Sequence, residues 1–206
     1  MTRALIFDLG NVIVPFDFNH AYDRIEPASG LGREEIRRRI TERDLPRRLE
    51  SGKIAEDDFI AEINETLGTE FGYDEFRDIW VSIFFRRTLI PEAFFVAARE
   101  RYPLILLSNT NSLHFDWVAE QFPLLNHFHG WTLSHRVGAQ KPDPRIYADA
   151  VARAGCAPEE CFFTDDIPDY VEGARRFGLD AEQFTGFGPL REHLAARGID
   201  IPYDGR

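Results

Sequence analysis

The chain is poor in the residues that mark secreted, membrane-bound or nucleic-acid-binding proteins. Only Cys156 and Cys161 are cysteines among 206 residues. Two thiols make no disulfide framework, and their spacing is neither a zinc nor a redox motif. A reducing compartment, the cytoplasm, is the expected location. No apolar run approaches the roughly 18 residues of a membrane span, and the opening run Ala4–Phe7 is too short for a signal peptide. Positive charge is scarce: 24 Lys and Arg face 35 Asp and Glu, a net charge of −11. Such a chain repels nucleic acid and anionic membrane surfaces. To bind an anionic substrate it needs a local device: a metal, a helix N-terminus or one placed cation. Lysine is rarest of all. Lys53 and Lys141 stand alone among arginines, which singles them out. Nucleotide-binding loops are missing as well: there is no Walker A sequence, and Gly186-Phe187-Gly188 lacks the third glycine of a dinucleotide loop.

Apolar material is plentiful, at 44 % of residues with 13 % aromatic. That suits one packed domain, or a core domain carrying a smaller insert. Three short uninterrupted apolar runs, Ala4–Phe7, Pro103–Leu107 and Cys161–Phe163, read as strands buried on both faces. Helical stretches over Pro91–Arg101 and Pro144–Ala154 precede the last two, the alternation of a parallel α/β sheet. Gly130–Leu133 and Asp180–Phe184 are weaker strand candidates, and a helix over Pro189–Arg197 closes the chain. Residues 16–88 differ. They carry charge-rich amphipathic segments over 33–49, 56–67 and 73–84, with Glu50–Ile54 as a connecting loop and no strand pattern. The expected architecture is therefore a Rossmann-like α/β core, residues 1–15 and 89–206, with a helical cap of residues 16–88 inserted after the first strand.

Each apolar run ends in polar residues: Asp8-Leu9-Gly10-Asn11, Ser108-Asn109-Thr110-Asn111 and Thr164-Asp165-Asp166. In open α/β sheets, ligands bind at the carboxyl ends of the strands. If the three strands are neighbours, these groups share one crevice, and Gln140-Lys141-Pro142-Asp143-Pro144 adds a cation at the mouth of a helix. Clustered carboxylates cannot all stay charged without a cation. Hard oxygen donors select Mg²⁺. Metal and Lys141 together make a slot for a phosphoryl group, Ser108 and the Asn109 N–H at a helix opening hold its oxygens, and Asp8 is placed as a nucleophile.

The order and form of these four motifs resemble the haloacid dehalogenase-like (HAD) superfamily, in its branch with a helical cap after the first motif. Ile6-Phe7-Asp8-Leu9-Gly10-Asn11-Val12-Ile13-Val14 is similar to bacterial glucose-1-phosphatase-like enzymes, and the chain also resembles the phosphatase domain of epoxide hydrolases. The resemblance implies hydrolysis of a small phosphorylated metabolite through an aspartyl-phosphate on Asp8. It implies Mg²⁺ held by Asp8, the Gly10 carbonyl and Asp166, with Asp165 acting through water or from behind the direct ligands. Ser108 and Asn109 would bind the phosphoryl group, and Lys141 would offset its charge. One position departs from the family. Most of its phosphatases carry a second Asp, an acid–base group, two residues after the nucleophile, where this chain has Gly10. The glucose-1-phosphatase-like relatives share Asp-Leu-Gly-Asn, so Gly10 does not imply inactivity, but it argues against a phosphomutase.

Singly, each motif also reads as a turn or a helix cap; in this order, each behind its own strand, they read as one site. Two other functions compete. A haloacid dehalogenase shares the Asp nucleophile but needs no metal and lacks the acidic pair. A slow phospho-ligand binder would follow from the missing acid–base Asp. Phe16, Asp17, Phe18 and the Glu50–Ile54 loop are the expected substrate-facing residues of the cap. His127, His129 and His135 read as scattered surface histidines. The arginines over 37–48, interleaved with glutamates, read as a solvated helix face.

Overall fold

The computed structural model describes residues 1–202. In chain order, β1 (Ala4–Phe7) is followed by α1 (Asn19–Ser29), α2 (Arg33–Glu42), α3 (Leu45–Glu50), α4 (Glu56–Leu67) and α5 (Tyr73–Trp80). Then come α6 (Glu92–Arg99), β2 (Leu104–Ser108), α7 (Ser112–Gln121), β3 (Gly130–Leu133), α8 (Ser134–Val137) and α9 (Pro144–Ala154). β4 (Cys161–Asp165), α10 (Pro168–Phe177), β5 (Asp180–Gln183) and α11 (Phe187–Ala196) complete the chain.

The strands form one parallel sheet in the order β3-β2-β1-β4-β5. Its central strands β2, β1 and β4 are buried throughout and apolar up to their carboxyl ends, because both faces are covered. On β1, Leu5 and Phe7 enter one apolar cluster while Ala4 and Ile6 enter the other. Leu104 and Leu106 of β2 alternate in the same way with Ile105 and Leu107. Each such side chain contributes roughly 1.5–3 kcal/mol on burial, so the period-two division pins the register. Phe7 sits at the centre of one face, edge-on to Phe94, Phe95 and Phe128.

Between β1 and α6 the chain is helical and has an apolar cluster of its own, including Ile36, Phe59, Phe76 and Trp80, which Leu113 of α7 joins. Entry and exit are paired. Phe16 and Phe84 form an antiparallel bridge, the Phe85 N–H donates to the Pro15 carbonyl at 3.0 Å, and the Asp17 N–H donates to the Ile83 carbonyl at 2.9 Å.

The helical segment differs from the expected elements at two places. The segment over 33–49 is two helices, because Asp44 takes a left-handed conformation, φ 53°, and Pro46 has no N–H to continue the turn. α1 had no counterpart in the sequence reading. Its internal Pro27 argues against a helix, yet burial of Ala21, Tyr22 and Ile25 on one face outweighs the lost hydrogen bond. No helix among the described residues is long and apolar enough to cross a membrane.

Candidate active site

β1, β2 and β4 are adjacent, so their carboxyl ends bring Asp8, Ser108 and Asp165 together at the point where the strand order reverses. Lys141, from the loop before α9, lies at the centre. Its Nζ donates to Asp8 Oδ1 at 2.7 Å, to Asp165 Oδ2 at 2.5 Å and to the Leu107 carbonyl at 3.2 Å. The Lys141 side chain is 1 % exposed and that of Asp165 0 %. Burial alone would disfavour the ammonium, but Asp165 and Asp8 hold its pKa above the ordinary lysine value. Burial likewise pushes Asp8 upward, with the Asp165 charge adding to it and Lys141 opposing.

Both carboxylate oxygens of Asp165 have a protein partner. One carboxylate oxygen takes the lysine, and the other accepts the Ile167 N–H at 2.9 Å. Asp166 is half-buried, which raises its carboxyl pKa, while a hydrogen bond from the Asn11 side chain lowers it. Asn11 is left-handed, φ 54°, a conformation that Asn tolerates better than most residues. It turns the chain sharply after Gly10, its N–H donating to the Val14 carbonyl at 3.0 Å. Its role escaped the sequence reading, although an Asn directly after a Gly at a strand end is a turn signal.

Asp8, Asp165 and Asp166 each offer an oxygen within 4.8 Å of the others, the one such group of possible metal ligands among the described residues. With all three carboxylates ionised, the one ammonium leaves the cluster a net charge of −2, an excess that a divalent cation would cancel. The donor set is all hard oxygen, which suits Mg²⁺.

Ser108 is buried but lines the cavity, and its hydroxyl has no protein partner among the described residues. Asn109 behaves differently. Its side-chain oxygen accepts the Lys141 N–H at 2.8 Å and its amide donates to the Lys141 carbonyl at 3.2 Å. The side chain thus holds the lysine loop, and only the Asn109 backbone N–H remains for a ligand. Neither residue opens a helix: α7 starts at Ser112, capped by Asn111, whose side chain accepts the His114 N–H at 3.0 Å.

The resulting cavity is about 180 Å³, with polar groups at the strand ends and an apolar wall of Phe16, Phe18, Ile83 and Phe84 facing them. Phe16 and Phe18 are where the sequence places them. Asp17 is not: it does not line the cavity, and its carboxylate accepts the Asn19 N–H at the start of α1. Of the Glu50–Ile54 loop, Glu50 alone lines this cavity, while Ser51 and Lys53 line a neighbouring hollow of about 540 Å³.

The histidines do not converge. His127 pairs with Glu92, His129 accepts the Leu104 N–H, and His135 meets the Thr110 carbonyl. Most of the arginines over 37–48 pair with glutamates on the helical surface, as the charge pattern predicts. The two thiols, unremarkable by spacing, lie 3.4 Å apart as free cysteines.

Comparison with known proteins places this geometry among relatives. A model of the haloacid dehalogenase-like hydrolase family matches residues 2–178. A D-ribitol-5-phosphate phosphatase of Bacteroides thetaiotaomicron is 26 % identical over 203 residues, covering 94 % of this chain and 97 % of that one. A phosphatase of Mycobacterium tuberculosis is 28 % identical over 211 residues, covering 92 % and 90 %. A solved HAD family enzyme of B. thetaiotaomicron, in complex with magnesium and inorganic phosphate, superposes with a TM-score of 0.78 at 24 % identity, covering 90 % of this chain and 96 % of that one.

Proposed function

This chain belongs to the haloacid dehalogenase-like hydrolases, and on that premise we propose that it is a magnesium-dependent phosphatase hydrolysing a small sugar or polyol phosphate through a phosphoryl group carried on Asp8. The observation that carries this reading is the buried Lys141 bridging Asp8 and Asp165, beside Asp166, in a cluster whose net charge is −2 with all three carboxylates ionised. A haloacid dehalogenase has no use for that excess. The relatives support the substrate class: D-ribitol 5-phosphate is the substrate named for one of them.

Asp8, the Gly10 carbonyl and Asp166 would hold the cation. Bound there, Mg²⁺ would supply positive charge to the phosphoryl oxygens. Lys141 favours the ionised form of Asp8 against its burial and aims it, and Asp165 fixes Lys141. The free Ser108 hydroxyl and the Asn109 N–H donate to the phosphoryl group. Asp8 attacks phosphorus, and the ester oxygen departs toward the apolar wall. Residues 16–88 act as a cap over a core of residues 1–15 and 89–206, excluding water and selecting the leaving group.

The test is turnover by wild type and Asp8→Asn on D-ribitol 5-phosphate, other sugar phosphates and 4-nitrophenyl phosphate, with Mg²⁺ and with EDTA. Turnover lost both in EDTA and in the variant is expected. Metal-independent activity on a haloacid would replace this reading with a dehalogenase.

A further inference from the structure

An alkoxide leaves phosphorus poorly unless it receives a proton as the bond breaks, so a phosphatase for alkyl esters needs an acid near the leaving oxygen. The residue two after Asp8 cannot supply it, being Gly10. The structure also closes that position to a side chain, since a Cβ on Gly10 would lie 2.5 Å from Cε1 of Phe16. The acid must come from elsewhere.

The cavity's other ionisable groups narrow the choice. Asp8 and Lys141 are paired with each other, and Asp166 belongs to the cation cluster. His114 has both ring nitrogens engaged, at 3.1 Å from the Asn111 amide and 3.1 Å from the Trp80 carbonyl, and burial keeps it neutral. Burial holds the Tyr170 phenol above its ordinary value. Glu50 remains. Among the described residues it is the only carboxylate that reaches the cavity from the helical side, whereas Asp8 and Asp166 enter from the sheet.

Glu50 is also held in place. Its carbonyl accepts from Ser134 Oγ at 2.6 Å, tying the end of α3 to the core, and its Oε2 accepts from Gln140 Nε2 at 3.1 Å, next to Lys141. Its other carboxylate oxygen has no hydrogen bond among the described residues.

We propose that Glu50 is the general acid and base of this site, replacing a carboxylate that Gly10 and Phe16 leave no room for. The assignment rests on the phosphatase reading above. In the first step protonated Glu50 gives its proton to the ester oxygen as the P–O bond breaks, and the alcohol departs while Asp8 takes the phosphoryl group. In the second, the Glu50 carboxylate takes a proton from water as the water oxygen attacks phosphorus. The P–O bond to Asp8 breaks, phosphate leaves and Glu50 is protonated again.

The electrostatics suit both roles. Burial pushes the Glu50 carboxyl up to about 7, with Lys141 pulling it down and Asp44, at the head of α3, adding to the rise. Tyr170 faces it from α10, and Arg47, on its own helix, is joined to it through Gln140. A group near neutrality donates and accepts protons with comparable ease.

The experiment compares wild type with Glu50→Gln on D-ribitol 5-phosphate and on 4-nitrophenyl phosphate, whose leaving group needs no proton. In the variant, kcat/KM for the alkyl ester is expected to fall by about 10²–10⁴ and for the aryl ester by less than about tenfold. Without the base, the phosphorylated protein should accumulate, giving a burst of 4-nitrophenolate and a phosphoryl adduct by intact mass that wild type does not show. Glu50→Asp should restore part of the alkyl activity. Equal loss on both esters would reduce Glu50 to binding or folding and overturn the proposal, as would no loss on either. Wild type inactive on both esters, or Asp8→Asn active, would instead overturn the phosphatase reading and this assignment with it.

Discussion

Asn109 and Lys141 hold each other through two hydrogen bonds, the Asn109 side chain accepting the Lys141 N–H at 2.8 Å and donating to its carbonyl at 3.2 Å. A carboxylate at 109 keeps the first bond and loses the second, setting two acceptors against each other. Asn109→Asp is therefore expected to lower kcat by about 10²-fold through misplacement of the ammonium and to destabilise the fold by about 1–3 kcal/mol. Steady-state kinetics together with urea unfolding check both. Unchanged kcat would mean that the lysine keeps its aim without Asn109.

Lys141 is the cation paired with two buried carboxylates, so its removal acts on folding as well as chemistry. In EDTA, Lys141→Met should lose about 3–5 kcal/mol of stability by denaturant unfolding, because Asp8 and Asp165 are left buried without a partner. Mg²⁺ should recover part of that loss in the variant. A loss of less than about 1 kcal/mol would show the pair to be solvated in solution.

Gly10→Asp is expected not to increase activity. The added side chain meets the Phe16 ring and should cost about 1–3 kcal/mol as overpacking. Adding Phe16→Ala should relieve the clash, giving a non-additive double-mutant cycle. Additive stabilities would show that the two positions do not compete for the same space.

Gly173 lies where α10 crosses the lysine loop, and a Cβ there would lie 2.6 Å from Pro142 Cβ and 2.9 Å from the Tyr147 hydroxyl. Gly173→Ala must push α10 and the Lys141-Pro142 segment apart. A lower melting temperature and reduced kcat with little change in KM are expected. Full activity would show that the loop yields without moving the ammonium.

His114 links α7 to the helical segment, and burial drives its pKa down from the ordinary value to about 4. The fold therefore binds fewer protons than the unfolded chain between those two values. Stability is complete above about 6.5 and falls as pH drops toward 4, by on the order of 3 kcal/mol from this residue. His114→Gln should flatten that part of the stability profile. An identical slope in the variant would place the acid sensitivity elsewhere.

Sequence alone determined the α/β core, because strands buried on both faces must be continuously apolar, as Ala4–Phe7 and Leu104–Leu107 are. It also determined the chemical character of the site, since Asp8, Ser108, Lys141, Asp165 and Asp166 each follow a strand or precede a helix in chain order. The tertiary structure decided what each group is free to do. Asn109 and Asp165 hold Lys141 in place, because hydrogen bonds formed across 24 and 32 residues of chain leave no periodic trace. α1 forms around a proline for the same reason: burial against distant partners overrides local propensity. The clearest case is Gly10 and Glu50. The sequence places Phe16 and the Glu50–Ile54 loop toward the substrate, but only the folded cavity shows that Phe16 closes the position beside Gly10 and that Glu50, alone of its loop, lines that space.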